Sequence, residues 1–375
     1  MGKCLITKLD GSINNNSLLK LGEFRISIGK VSNPSLSTNA IVLECTKNVD
    51  VEIMGDGYFT DQTLSANKGK KLTIPANVQT NVFYSNGDYY ISILNKYAIK
   101  TLKFYPANTA FSGNLAYDLE NLKYSTSLNY LSMSTPQVTG DIAALKNLTS
   151  LTYIDLHSSQ VKGDIAALKN LTSLTFINLS TPQVTGDIAA LKNLTSLTNI
   201  YLSTPQVTGD ISAISNLTSL GTVMLGSQVT GDISAISRLS NLKRCNLGSV
   251  SGDITAINNT KLTKIGISNA DNLTGDIAKL KSDFVFLGFT NTNTPSFTWS
   301  SRDFGSSIFG NAGYPKLSSN IDDVLINISQ CKNGITSSSE SWEKVISYQG
   351  NRTSASDAAV EKLQGYGYNV RINKV

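Results

Sequence analysis

Apolar residues recur through the middle of the chain with a period of 21 to 23 residues. Within each unit they follow the pattern L-x-x-I-x-L, as at Leu151, Ile154 and Leu156. The alternation at the end of this pattern predicts a strand that turns Ile154 and Leu156 inward and the residues beside them outward. A unit this short holds one strand and one short helical segment, which is too little for a helical hairpin or a propeller blade. The periodicity therefore predicts a solenoid over 96–290.

A Gly-Asp dipeptide marks each unit. It stands at 140–141, 163–164, 186–187, 209–210, 231–232, 252–253 and 275–276. Each Asp precedes Ile-Ala-Ala-Leu or a variant of it, where its side chain can cap a helix N-terminus and complement the helix dipole. The Gly before it permits a tight turn or a positive-φ backbone. A column of carboxylates could also hold cations between coils, but capping needs no ligand. The pattern thus predicts capped turns, with no metal site and no cofactor.

The repeated unit L-x-x-L-x-x-I-x-L-x-x-x-x-V-x-G-D-I resembles a leucine-rich repeat, of the variety whose units carry an L-x-G-x-I segment. The resemblance covers roughly half the chain and implies a solenoid with a parallel sheet. Most leucine-rich repeats have an asparagine ladder that bonds the turn backbone, but Ser159, Pro182 and Pro205 stand in its place here. We expect the turns to be bonded instead by glutamines, namely Gln160, Gln183, Gln206 and Gln228.

The segments on either side of the repeats differ in kind. In residues 1–95, short β-branched or aromatic runs such as Phe24–Ile28 and Ile41–Cys45 are separated by Gly, Asn and Pro. They predict an antiparallel β domain, a sandwich or roll, with a docking or oligomerisation role. Residues 291–375 predict loops, a helix at Ile321–Ser329 and a β-α-β tail that caps the solenoid. The tail consists of Lys344–Tyr348, Ser356–Gln364 and Tyr368–Ile372.

The predicted fold class is therefore mainly β with short helices. An N-terminal antiparallel β domain (1–95) is followed by a leucine-rich repeat solenoid with a parallel sheet (96–290). A β-α-β C-terminal cap (291–375) completes the chain. A solenoid needs such caps because a terminal coil cannot bury both of its apolar faces.

Composition narrows the classes of function. Charged residues make up 16% of the chain, with 32 basic and 27 acidic residues and a net charge of +5. The four cysteines lack the paired spacing of a zinc site or a disulfide framework. Basic residues are spread out, so we expect no nucleic-acid partner. No apolar run reaches the ~18–20 residues of a membrane span, so we expect no membrane insertion. Without the apolar segment of a signal peptide, we expect a cytosolic chain, export by a non-standard route or release by lysis.

His157 is the only imidazole in the chain. Asp155 and Ser158 lie near it in sequence, and a Ser-His-Asp arrangement needs such a carboxylate and nucleophile. The same repeat position holds Ser180 and Ser203 in the next two units, so surface variation explains the histidine. No phosphate-binding glycine motif follows a predicted strand either. We therefore expect the protein not to be an enzyme.

The outward strand positions vary from unit to unit, while the rest of the repeat is nearly copied. Aromatic residues over the first four turns could stack on sugar rings or anchor a protein partner. They could equally reflect the preference of sheet surfaces for aromatic side chains. Because solenoids present such faces to partners, we hypothesise that this face binds a ligand. The candidate ligand-binding residues are Tyr130, Tyr153, Asp155, Phe176, Asn178, Asn199, Tyr201, Met224, Arg244 and Lys264.

Repeats of this Gly-Asp type are similar to those of gut Bacteroidetes bacteria and of the phages that infect them, and the opening Met1–Ile28 resembles phage proteins. These resemblances imply a phage virion tail or appendage protein whose solenoid binds a host cell-surface protein or glycan. The β domain would dock to other virion proteins, and we expect a homo-oligomer located in the virion. The alternative is a bacterial cell-surface or secreted leucine-rich repeat adhesin.

Overall fold

The computed structural model describes residues 24–28, 40–55, 58–60, 65–67, 71–74, 76–77, 80–83, 89–93, 96–105, 115–136, 138–157, 159–281, 283, 286–289, 296–302, 310–312, 316–317, 319–331 and 344–374. The chain divides into two compact units, Met1–Val184 and Thr185–Val375, called the N-terminal and C-terminal units below. The opening segment 1–23 and Ser158 lie outside the described residues.

The N-terminal unit begins with antiparallel strands and continues with parallel ones. Its strands are β1 (Phe24–Ile28), β2 (Ala40–Cys45), β3 (Val49–Gly55), β4 (Tyr58–Thr60), β5 (Ser65–Asn67), β6 (Lys71–Ile74), β7 (Thr80–Phe83), β8 (Tyr89–Ile93), β9 (Ile99–Tyr105), β10 (Leu115–Asp118), β11 (Tyr130–Ser132), β12 (Val138–Thr139), β13 (Tyr153–Asp155), β14 (Gly163–Asp164) and β15 (Phe176–Asn178). Antiparallel pairs join β1 to β8, β3 to β6 and β8, and β2 to β7 and β9. The sandwich or roll arrangement stays a prediction.

Strand β9 begins the stack of coils. It pairs antiparallel with β2 and parallel with β11, and β13 and β15 follow in parallel. The inward column of these four strands is fully buried and consists of Leu102, Leu131, Ile154 and Ile177. Burying such a side chain stabilises the fold by about 1.5–3 kcal/mol. Because no coil can bury its apolar face alone, this column holds successive coils together.

The C-terminal unit continues the same pattern of coils. Its strands are β16 (Val184–Asp187, which starts at the boundary), β17 (Asn199–Leu202), β18 (Val207–Asp210), β19 (Thr222–Leu225), β20 (Val229–Asp232), β21 (Arg244–Asp253), β22 (Lys264–Thr274), β23 (Phe286–Phe289), β24 (Ser296–Phe297), β25 (Gly310–Ala312), β26 (Lys316–Leu317), β27 (Val345–Ile346), β28 (Asn351–Arg352), β29 (Asn369–Val370) and β30 (Asn373–Lys374). Strands β17, β19, β21, β22, β23 and β25 are stacked in parallel in this order. Parallel pairing in this stack therefore extends to Ala312.

Two α-helices lie near the end of the described part of the C-terminal unit. They are α1 (Ile321–Gln330), which matches the predicted helix, and α2 (Asp357–Gly365). Strand β27 precedes α2 and β29 follows it, each within a predicted strand, whereas β28, between β27 and α2, and β30 were not predicted. Strands β27 and β29 pair in parallel, as do β28 and β30.

Each repeat unit turns through one 3-10 helix behind a capping aspartate. The caps are Asp118, Asp141, Asp164, Asp187, Asp210, Asp232, Asp253 and Asp276. Their helices are Leu119–Leu122, Ile142–Leu145, Ile165–Leu168, Ile188–Leu191, Ile211–Ile214, Ile233–Arg238, Ile254–Asn259 and Ile277–Lys279. Each carboxylate accepts from the backbone N–H two residues on, at 2.7–3.0 Å. The predicted capped turns are confirmed, and a cap of this kind is worth about 1 kcal/mol.

The turns after β13 and β15 are bonded by hydroxyls rather than by the glutamines expected from sequence. Thr181 is buried, and its Oγ1 donates to the carbonyl of Val161 at 3.2 Å. The buried Ser159 Oγ donates to the carbonyl of Leu156. Gln160 and Gln183 are exposed instead. The side chains of Ser and Thr are short enough for the hydroxyl to reach a backbone carbonyl of the same coil or of the adjacent coil. That hydrogen bond satisfies the buried hydroxyl.

Asp322 ties the first turn of α1 to the segment before α2. Its carboxylate accepts from Ser356 Oγ at 2.5 Å, from Thr353 Oγ1 at 2.8 Å and from the Thr353 N–H at 3.0 Å. These hydrogen bonds, that of Ser356 foremost, hold the pKa of Asp322 below its ordinary value, because they stabilise the ionised form. The folded pKa lies below the unfolded value of about 3.9. The stabilisation is therefore complete above the unfolded pKa and is lost as pH falls through the folded pKa.

We expect Asp322→Asn to lower the free energy of unfolding of the C-terminal unit by about 1–3 kcal/mol at neutral pH, because hydrogen bonds to a charged group are lost. Urea titrations at neutral pH and below the unfolded pKa measure this loss, which should shrink in acid. The matched control is Asp323→Asn, since Asp323 is exposed on the same helical turn and should change stability by no more than about 0.5 kcal/mol. Equal losses in the two variants would contradict the role of Asp322.

Candidate recognition face

The outward positions of the N-terminal coils carry three aromatic side chains in one column. Tyr130, Tyr153 and Phe176 are directly paired across β11, β13 and β15. All three are half-buried, while the residues that follow them in sequence are fully buried. This alternation is the one that a strand with one solvated face requires. The three rings are called the aromatic ladder below.

The rings of the aromatic ladder are stacked face to face. The ring centroids of Tyr130 and Tyr153 are 4.3 Å apart with an interplanar angle of 8°, and those of Tyr153 and Phe176 are 4.3 Å apart with an angle of 9°. The strands themselves are spaced by about 4.7–4.9 Å, so the rings stand nearly parallel along the direction in which the coils stack. Each stacked pair adds about 0.5–1.5 kcal/mol beyond its buried area.

Stacking decides which part of each ring a ligand can reach. Both faces of Tyr153 are covered by its two neighbours, so a ligand cannot lie flat against this ring. A sugar ring packs against the face of an aromatic ring. Tyr153, the middle ring of the ladder, has no uncovered face. The geometry therefore argues against sugar stacking at Tyr153, which the sequence left as one of two alternatives.

A polar cluster lies beside the aromatic ladder. Asp155 Oδ1 is 2.5 Å from His157 Nδ1, and Ser134 Oγ lies 3.0 Å from Asp155 Oδ1 and 2.9 Å from His157 Nδ1. In a catalytic triad the nucleophile meets the ring nitrogen opposite the one that the carboxylate holds. Here the Asp155 carboxylate and the Ser134 hydroxyl both contact Nδ1, so Ser134 is not in the position of a nucleophile. The arrangement fixes the imidazole against Asp155 and offers no acyl-transfer chemistry.

The structure brings some of the candidate residues together and separates others by unit. Asn178 is opposite Asp155 in the N-terminal unit. In the C-terminal unit, β17 and β19 place Asn199 opposite Thr222 and Tyr201 opposite Met224. Arg244 starts β21 and Lys264 starts β22. The outward face of the C-terminal coils thus mixes Tyr201 and Met224 with the basic Arg244 and Lys264.

Ser134 is a contact residue that the sequence analysis did not single out. It stands 23 residues before His157, which is one repeat, and therefore at the same position of the preceding unit. Residues one repeat apart in parallel coils become neighbours. The repeat register alone could have placed Ser134 next to His157.

The described residues contain no group of three or more His, Cys, Asp or Glu side chains that could hold a metal ion. The described cysteines Cys45, Cys245 and Cys331 are buried and are not joined in disulfides. Burial raises the pKa of the Cys45 thiol to about 11 and that of Cys245 further, so both stay protonated and unreactive. In the part of the chain that the structure describes, no helix is long and apolar enough to cross a membrane.

No protein-family model matches the chain, and no curated protein matches it. Among solved structures it is similar to an internalin of Listeria monocytogenes (inlF), with 18% identity over 74% of this chain and 82% of that one, at a TM-score of 0.45. It is also similar to internalin C2 of the same organism, with 22% identity over 49% and 87% of the two chains and a TM-score of 0.33.

A plant receptor shows a comparable similarity. The leucine-rich repeat ectodomain of the Arabidopsis thaliana receptor kinase GASSHO1/SCHENGEN3, solved in complex with CASPARIAN STRIP INTEGRITY FACTOR 2, is 17% identical over 74% of this chain and 42% of that one, at a TM-score of 0.49. Independently of these likenesses, the chain has its own parallel strand register, buried Leu and Ile columns and capped turns. Those features are the ones that define the leucine-rich repeat fold.

Proposed function

We propose that the chain is a non-catalytic recognition protein, of the adhesin kind, that binds a protein partner through the aromatic ladder. The observation that carries the proposal is the face-to-face stacking of Tyr130, Tyr153 and Phe176 at half-buried positions. Stacked rings have little rotamer freedom left to lose, so they bind with a small entropic cost. Tyr and Phe are also enriched at the centres of protein interfaces.

The ring edges of the aromatic ladder favour a protein over a glycan. The edge of an aromatic ring is the positive part of its quadrupole, and it packs well against the face of another aromatic ring. The hydroxyls of Tyr130 and Tyr153 add groups that both donate and accept hydrogen bonds. A protein partner supplies aromatic faces, apolar side chains and backbone carbonyls that match these edges. The polar cluster of Asp155, His157 and Ser134 forms a rim beside the ladder.

The biological setting is part of the proposal. A bacterial cell-surface or secreted adhesin and a virion tail or appendage protein would both use an exposed recognition face. Mass spectrometry of washed cell envelopes and of purified phage particles from the source culture separates the two settings. Detection on envelopes supports the adhesin, whereas a fixed copy number in particles supports the virion protein. Docking and homo-oligomer formation by residues 1–95 likewise remain proposals.

We expect the double variant Tyr153→Ser/Phe176→Ser to weaken binding to cells of the source culture by at least about tenfold, since aromatic anchors at an interface contribute about 2 kcal/mol or more. Flow cytometry with the labelled protein measures the change. Tyr97→Ser/Tyr124→Ser is the matched control, because both tyrosines are exposed, at 39% and 52%, and lie outside the ladder.

Treating the cells before binding tests the class of partner. Proteolysis should abolish binding, while periodate oxidation of glycans should leave it intact. Binding that survives proteolysis but not periodate would refute a protein partner. If the ladder and control variants lost binding equally, the ladder itself would be excluded as the contact.

A further inference from the structure

Most of the chain's net positive charge comes from one short stretch of the C-terminal unit. Residues 238–264 contain five basic residues and one acidic residue, in a chain whose net charge is +5. The acidic residue, Asp253, caps the helix Ile254–Asn259, where it accepts from the Thr255 N–H at 2.8 Å and Thr255 Oγ1 at 2.7 Å. Its carboxylate is therefore engaged at the turn and away from the strand starts.

Four of the five basic residues meet at the start of two adjacent strands. Strands β21 and β22 are parallel neighbours, and Asn246 is opposite Gly266. The same register places Arg244 opposite Lys264. Lys243 directly precedes Arg244, and Lys261 lies just before β22, with its Nζ donating to Asn241 Oδ1 of the preceding coil at 2.9 Å. Lys243, Arg244, Lys261 and Lys264 are called the basic patch below.

Two members of the basic patch, Lys243 and Arg244, keep their charge exposed to solvent. Within the described ranges neither makes an ion pair with a carboxylate. Lys261 is bonded to a neutral amide. Like charges placed directly opposite each other on a sheet are destabilising. The stacking of coils does not require a cation at the position of Arg244 and Lys264, because Thr222 and Thr101 occupy the same register position on other strands.

The basic patch is short along the direction of stacking. The neighbouring strands put Thr222 on one side and Phe286 on the other, both buried. The cations therefore span two coils, or roughly 10 Å at the spacing of parallel strands. A polyanion such as a nucleic acid needs a long basic track and exposed aromatic platforms, and the buried Phe286 offers no platform. A cluster of a few carboxylates fits this width.

We propose that the basic patch binds a short acidic segment of a protein partner. Two or more carboxylates of that segment engage Arg244 and Lys264, with Lys243 and Lys261 at the rim. The planar guanidinium of Arg244 can hold one carboxylate by two parallel hydrogen bonds. The proposal concerns the C-terminal unit alone and does not rest on the aromatic ladder.

Fluorescence anisotropy with a labelled hexapeptide of sequence GEEEEG tests the proposal at low ionic strength. We expect Arg244→Gln/Lys264→Gln to weaken peptide binding by at least about tenfold. The matched control Lys146→Gln/Lys169→Gln removes the same charge from exposed positions of the N-terminal unit and should change affinity by less than about twofold. Added salt should weaken the wild-type interaction, because exposed charges are screened.

Two further measurements keep the test decisive. The first uses the wild-type protein alone and therefore depends on no variant. The backbone NMR shift changes that the peptide induces should concentrate on β21 and β22. The ladder variant Tyr153→Ser/Phe176→Ser should bind the peptide normally, so a failure of the proposed function leaves this site testable. If the patch variant and the Lys146→Gln/Lys169→Gln control lost equal affinity for the peptide, the proposal would be overturned, because net charge alone would then explain binding. Patch-dependent binding of dextran sulfate without binding of the peptide would overturn it too.

Discussion

Replacing Gly163 with alanine should lower the free energy of unfolding of the N-terminal unit by about 2–4 kcal/mol. The φ of Gly163 is +117°, in the region that side chains with a Cβ disfavour. A Cβ at this position would also overlap Oδ1 of Asp141 in the preceding coil. That oxygen is held by its cap bond to the Ala143 N–H at 2.8 Å. Relief of the overlap must either break the cap or separate the coils.

Urea denaturation followed by circular dichroism measures this loss. Gly221→Ala is the matched control, because its Cβ would come no closer than 3.8 Å to another atom, so we expect no loss of stability there. In an Asp141→Ala background the overlap with Asp141 is gone, and the backbone strain and a 3.1 Å contact with Ile142 Cγ1 remain. Gly163→Ala should therefore cost less there than in the wild type. Losses that are equal at 163 and 221 would refute the contact between coils.

The capped coil itself could be predicted from sequence, because each of its parts depends on local spacing. Apolar alternation identified the strand, and an Asp before Ile-Ala-Ala-Leu identified the cap. The packing of Gly163 on Asp141 could not be predicted in the same way. It depends on the distance between coils, whereas the sequence suggested only a backbone reason for the glycine.

The candidate recognition face could also be predicted from sequence only in part. Strand alternation predicted outward positions for Tyr130, Tyr153 and Phe176, and the structure places them side by side at half-buried positions. Whether the rings show faces or edges is decided by side-chain torsions, which sequence does not determine. The basic patch was anticipated only in part, since Arg244 and Lys264 were among the outward candidates but Lys243 and Lys261 were not. Lysines that look evenly spread along the chain become neighbours when repeats of 20 or more residues stack.

Arg302 was not anticipated at all, because it follows a segment rich in Thr, Asn and Ser that reads as an exposed loop. The structure buries it to 3% exposure. Its Nη1 donates to the carbonyl of Leu280 at 2.7 Å and its Nη2 to that of Lys281 at 3.1 Å. These carbonyls follow the last 3-10 helix of the repeats, where backbone oxygens lack helical partners. The Arg302 N–H donates in turn to Asn327 of α1 at 2.9 Å.

We expect Arg302→Met to lower the free energy of unfolding of the C-terminal unit by about 2–4 kcal/mol, because buried carbonyls lose their donors. Burial lowers the pKa of this guanidinium, because the charged form is partly desolvated. Removing the charge therefore recovers part of that desolvation free energy. The net loss of stability should be smaller than that caused by breaking a buried ion pair. Arg302→Lys should recover only part of the loss, since one ammonium cannot reproduce the planar fork that meets both carbonyls.

Thermal and urea unfolding of the purified variants measure both effects. Arg371→Met removes the same charge from an exposed position of the same unit and should change stability by no more than about 0.5 kcal/mol. A lysine variant as stable as the wild type would mean that charge, rather than geometry, joins the last repeat turn to α1. A methionine variant of wild-type stability would mean that the carbonyls of Leu280 and Lys281 find water instead, and that the guanidinium is not needed to hold this turn.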